Sequence, residues 1–226
     1  MVVGLMDKNY SKTIEEIIEN RPARVFIKTA LKDIFIISSR WDFLTLLLIC
    51  LVSGIVSYKV AFARETVEFM LKMCGHLLEI QLALFSCIFA VYSILLAFLS
   101  DEYMKRLAKI SANGKVSSLT QYTTYYESIL FLYFINISVT ALLLFACLLS
   151  SDVSLTSNLE KDNAIAFIGL FIYFSFSFRV FYEIKSTIYN TVILFRYSIA
   201  YRFLAFAKED EENEKSSQKK VDEVKD

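Results

Sequence analysis

His76 is the only histidine in the chain, and Glu79 follows it by three residues. On a helix that spacing brings imidazole and carboxylate onto one face, a pair able to attract a cation at the mouth of a pore. The same face continues through Ala83, Ser86, Ala90, Ser93, Ala97 and Ser100 at spacings of 3, 4, 3, 4 and 3. Small side chains let helix backbones approach closely, so this seam suits a tight helix contact or an oligomer axis. Close packing is the favoured reading, and the lining of a narrow aqueous path, with His76 and Glu79 as its outer mouth, is the alternative. Further polarity comes from Asn136, Ser138 and Thr140, where Asn136 suits an interhelical hydrogen bond, and from Arg179 with Glu183 four residues on, the spacing of an intrahelical ion pair.

Catalysis has little to work with. The chain contains no Gly-x-Ser-x-Gly, no His-Glu-x-x-His and no pair of acids inside an apolar run, so no enzymatic activity, metal or cofactor is expected. The four cysteines, Cys50, Cys74, Cys87 and Cys147, form no Cys-x-x-Cys. Three of them read as apolar packing residues, with a disulfide between Cys74 and Cys147 open as an alternative. Acidic and basic residues balance at 24 each, which leaves no overall positive field for nucleic acid, and no direct nucleic-acid binding is expected.

These residues hang on four long apolar runs, 43–62, 77–99, 129–149 and 164–182. A hydrocarbon core of ~30 Å takes about 20 residues of helix, and only helices and closed barrels satisfy their backbone within it. The predicted fold is therefore all-α, an integral membrane four-helix bundle within 41–207 with helical cytoplasmic extensions at 100–126 and 183–207. Proline occurs once and spans of this kind show no Gly- or Pro-broken repeats, which argues against an alternating-access transporter. The charged stretch ahead of the first run is longer than a signal-peptide n-region, so that run is expected to stay as a span.

Lys and Arg number 7 before the first run, 3 from Lys59 to the second, 4 between the second and third, 1 between the third and fourth, and 9 from Arg179 onward. The positive-inside rule places both termini and the 100–126 loop in the cytoplasm of an inner-membrane protein. The flanking parts also carry helical signals. Thr13 to Glu16 has the pattern of a capping box, and Arg24, Lys28 and Lys32 share one face of a segment within 1–40 that can lie against anionic lipid. Asn113-Gly114 is a helix stop, and Ser118-Leu119-Thr120-Gln121 a second capping box ahead of the interfacial tyrosines Tyr122, Tyr125 and Tyr126.

Past the fourth run, Ile184, Ile188, Val192, Phe195, Ile199, Phe203 and Phe206 recur at 4, 4, 3, 4, 4 and 3. This stripe predicts a continuing helix whose apolar face docks a cytosolic protein, a sister chain or its own chain. The tail 208–226, with 8 acidic and 5 basic residues, has a composition that predicts disorder.

The four spans, cytoplasmic termini and 184–206 extension resemble the membrane subunit of Kiwa-type bacterial phage-defence systems. The likeness covers the layout of 41–207, carries no diagnostic motif and transfers no functional residue. It implies an inner-membrane sensor working with a DNA-binding cytosolic partner against infecting phage. Three readings stand side by side: an oligomeric sensor or anchor for a cytosolic partner, a small oligomeric channel, and a passive scaffold. The topology is directly testable. A reporter active only in the cytoplasm should work when fused after Asn113 and fail after Ser151, and a periplasmic reporter should do the reverse.

Overall fold

The computed structural model describes residues 27–28, 31–32, 40–63, 66–99, 103–105, 107, 111–112, 116–149 and 158–223. Four helices account for nearly all of them: α1 (Arg40–Ala61), α2 (Thr66–Phe98), α3 (Ser118–Leu149) and α4 (Leu159–Glu223). All four are long and apolar enough to cross a membrane, so this is an all-α membrane protein. Among the described residues, 27–28, 31–32, 103–105 and 107 are also helical, and there is a two-residue antiparallel ladder. It pairs β1 (Ser111–Ala112) with β2 (Val116–Ser117), Ser111 opposite Ser117. The Thr13–Glu16 box, Arg24, Ser100 and the Asn113-Gly114 stop lie outside the described residues.

Local sequence explains where the helices begin. Asn158 caps α4, its Oδ1 accepting the Glu160 amide at 3.0 Å, and Glu160 and Asp162 place negative charge in the first turn where the helix dipole favours it. In α1, Asp42 in the first turn and Lys59 in the last have the same complementary arrangement. Two helices start well before their apolar runs. The opening turns of α2 hold a Lys72–Glu68 pair at 2.7 Å, exposed enough to add only a few tenths of a kcal/mol. α3 starts at Ser118, where the capping-box pattern predicts a start.

α4 corrects one expectation. It reaches Glu223 and covers most of the tail that composition marks as disordered. The tail is rich in Lys and Glu, which are good helix formers, and it extends a helix already nucleated upstream, so the nucleation cost is not incurred again. At 65 residues the helix spans roughly 98 Å at 1.5 Å per residue, about three times the hydrocarbon thickness.

The described chain divides into two compact units, one within 21–90 and 125–187 and the other within 91–124 and 188–226. The first has two apolar clusters. A turn-end cluster near the α1–α2 connection holds Val60, Met70, Cys74, Leu77, Leu170 and Phe174. A far-end cluster holds Ile88, Ile129, Leu132, Tyr133 and Val180. Cys74 and Cys147 both pack in the turn-end cluster as free thiols. The outer surface of this unit is apolar as well: α1 exposes Phe43, Leu47, Leu51 and Ile55, and α3 exposes Phe134 and Leu142. That is the surface lipid requires. At the far end, the helical residues Ile27 and Leu31 are half-buried while Lys28 and Lys32 are exposed, and Leu31 packs on the far-end cluster.

In the second unit, Leu95, Leu99, Leu107, Thr120, Leu194 and Ser198 are buried, as is Tyr103. The Tyr103 ring stacks on Tyr201 at 5.1 Å and on Tyr197 at 6.3 Å. Burial first, then the neighbouring phenols Tyr122, Tyr197 and Tyr201, push the Tyr103 hydroxyl from its ordinary 10.0 up to about 12. Because the folded value is raised, the unfolded chain gives up this proton first. The stabilising contribution is thus complete below pH 10.0 and declines as pH rises toward about 12. Thermal midpoints of detergent-solubilised protein should fall across that window, and the fall should be smaller in Tyr103→Phe. Phenolate absorbance should show one late-titrating tyrosine missing from the variant.

Candidate functional site

Between the two apolar clusters each of three spans places polar side chains at helical spacing. On α2, Gln81 falls between Leu77 and Ile88; on α3, Asn136 and Thr140 follow Tyr133; on α4, Ser177 falls between Phe174 and Val180. Gln81, Asn136, Thr140 and Ser177 are all 0% exposed, and Tyr173 is buried beside them. A neutral polar layer therefore crosses the interior one helical turn from apolar packing on either side.

Its hydrogen bonds have a definite direction. Ser177 Oγ donates to Asn136 Oδ1 at 2.8 Å, joining α4 to α3. Thr140 Oγ1 donates to the Asn136 backbone carbonyl at 2.9 Å, which uses its only proton. In the 2.8 Å contact between Thr140 Oγ1 and Tyr173 Oη, the tyrosine is consequently the donor. Gln81 stands close to the Tyr173 hydroxyl. Neither of its amide atoms meets hydrogen-bond geometry, however, and Gln81 Nε2, Gln81 Oε1 and Asn136 Nδ2 make no hydrogen bond among the described residues. Ser53 and Ser57 on α1 are likewise fully buried with unbonded hydroxyls. A polar group buried unbonded costs about 1–3 kcal/mol, so such an arrangement calls for a physical reason.

Toward the far end, polarity becomes charged. Arg179 Nη1 meets Glu183 Oε1 at 2.6 Å, with the side chains only 11% and 14% exposed. The Arg179 guanidinium also lies over the Tyr182 ring, 5.2 Å from its centroid. Tyr133 Oη donates to the Val180 carbonyl at 3.3 Å, a further α3–α4 link after Ser177–Asn136 and Tyr173–Thr140.

The residues singled out from sequence are not gathered into one place. Ala83, Ser86, Ala90, Ser93 and Ala97 all lie on an exposed face of α2, the side away from the buried Cys74, Leu77, Gln81 and Ile88. His76 and Glu79 face outward too, each 79% exposed, with Nδ1 3.6 Å from Oε2. On α4, Ile188, Val192, Ile199 and Phe203 are exposed and Phe195 is half-buried. The layer itself, apart from Asn136 and Thr140, did not stand out in the sequence. Gln81 had a usable signal as a lone carboxamide inside an apolar span, which needs a partner or a ligand. Tyr173 and Ser177 gave none, since both are common residues in membrane helices.

The Asn136–Ser177 bond should show as an energetic coupling. A double-mutant cycle with Asn136→Ala and Ser177→Ala, read by unfolding in mixed micelles, should give ~0.6 kcal/mol, with an upper bound of about 1.7, and a coupling of zero would contradict the geometry. No protein-family model, curated protein or solved structure matches this chain.

Proposed function

We propose that this multi-pass protein is an inner-membrane anchor and sensor that holds a cytosolic protein at the bilayer and works as an oligomer. One observation carries the reading. On α4 beyond Glu183, Ile188, Val192, Ile199, Phe203 and Phe206 recur at helical spacing, and all are exposed, Phe203 at 69%. The helix is far longer than a bilayer crossing, and the Arg179–Glu183 pair followed by Lys185 marks a boundary suited to the headgroup region. A face of this kind in water is an interaction surface. An apolar helix face docking in a partner's groove is a familiar mode of recognition.

The exposed small-residue face of α2 supports self-association within the bilayer, because there close backbone approach is the main gain on helix pairing. The resemblance in layout to Kiwa-type membrane subunits suggests the task, phage defence, with both termini cytoplasmic.

Ile199→Asp combined with Phe203→Asp tests the docking face. Each apolar side chain buried on docking is worth ~1.5–3 kcal/mol, so the pair should weaken association roughly a hundredfold or more. Membrane insertion should be unchanged, since the spans are untouched. Cross-linking and mass measurement of the protein in nanodiscs, with its co-purifying protein, read both quantities. Unaltered association would remove the main support for an anchor.

A further inference from the structure

We propose that the layer formed by Gln81, Asn136, Thr140, Tyr173 and Ser177 is a binding site for a small uncharged hydrogen-bonding solute of the size and chemistry of water, closed on both sides by apolar packing. The chemistry of the ligand follows from what the layer leaves unbonded. All three hydroxyl protons are committed, Thr140 to the Asn136 carbonyl, Tyr173 to Thr140, and Ser177 to Asn136 Oδ1. What remains is two carboxamide NH2 groups, on Gln81 and Asn136, and one carboxamide oxygen, Gln81 Oε1, all fully buried. Donors and acceptors together suit a ligand that both gives and accepts hydrogen bonds.

Size is limited by the packing one turn away. Leu77 belongs to the turn-end cluster and Leu132 and Tyr133 to the far-end cluster, and both clusters are well buried. Charge is disfavoured by the lining. The layer contains no acidic or basic side chain, and Arg179, the nearest base along α4, is paired with Glu183. An ion at this depth would bring a desolvation cost that neutral amides and hydroxyls offset poorly. The arrangement of a polar middle between apolar constrictions is one through which small solutes pass only when a constriction wets.

Two experiments on the full chain test the assignment. The first compares the thermal midpoint of wild type with Gln81→Leu. If a solute bridges the amide, leucine removes hydrogen bonds and lowers the midpoint. A raised midpoint would mean the amide is buried dry and unpaired, and would overturn the proposal. The second reconstitutes Leu77→Ser/Leu132→Ser in vesicles and follows osmotic shrinkage, urea uptake and potassium leak.

Water should cross several-fold faster than in protein-free vesicles, while urea uptake and potassium leak stay at the protein-free level. Adding Gln81→Leu and Asn136→Leu should return water to baseline. Circular dichroism and detergent mass confirm that each variant is folded. Baseline water permeability in the folded serine variant, a gain that survives the two leucines, or a parallel leak of urea or potassium would each overturn the site.

Discussion

Leucine gains little by hiding from lipid tails, which are as apolar as a protein core, so the spans are held in register mainly by close packing and a few polar contacts. Here those contacts lie on α3 and α4. Ser177 to Asn136 and Tyr173 to Thr140 tie the middle of the two helices, and Tyr133 to the Val180 carbonyl repeats the link toward the far end. The bonds share one face of α3, at 133, 136 and 140, and one face of α4, at 173, 177 and 180. A slip of one turn along either helix would break all of them together and bury several polar groups unbonded. Register is therefore enforced less by what the bonds contribute than by the penalty for losing them.

Much of the architecture is legible from residue pattern alone. Four apolar runs give four spanning helices, and Asn136 makes the interhelical bond that a carboxamide inside an apolar run suggests. The faces are harder to read. On α2 the conspicuous pattern is the small-residue seam, yet the buried side carries Met70, Cys74, Leu77, Gln81, Ile88 and Leu95. Both faces are apolar enough for a membrane, so hydropathy does not tell which meets protein and which meets lipid.

α4 shows the same ambiguity beyond its span. Its large apolar stripe is regular, and the natural expectation is that such a stripe finds cover. The buried side is instead Thr187, Thr191, Leu194 and Ser198, mostly small and polar, while Ile188, Ile199 and Phe203 face outward. Small residues permit close approach between helices, and Thr187 satisfies its hydroxyl on the Glu183 carbonyl at 3.1 Å. Periodicity identifies a face but not its occupant. The tail misled for a different reason, because composition weighs burial of apolar area and the tail's helix needs only propensity and an upstream nucleus.

Polarity inside the spans is graded by depth. At mid-span every polar group is neutral, and the first charged pair on α4 comes at Arg179 and Glu183, near where the apolar run ends. A charge at the centre of a bilayer costs about 2.5–3.5 kcal/mol on insertion scales, whereas an interhelical hydrogen bond there is worth ~0.6 kcal/mol. Moving the ion pair two turns inward would thus cost more than several such bonds return. Neutral amides and hydroxyls are the strongest polar contacts that the middle of the bundle can hold without that cost, and the charged pair occupies the shallower depth, where Arg179 also lies over the Tyr182 ring. Hydrogen bonding in the middle and charge at the margin follow from one electrostatic gradient.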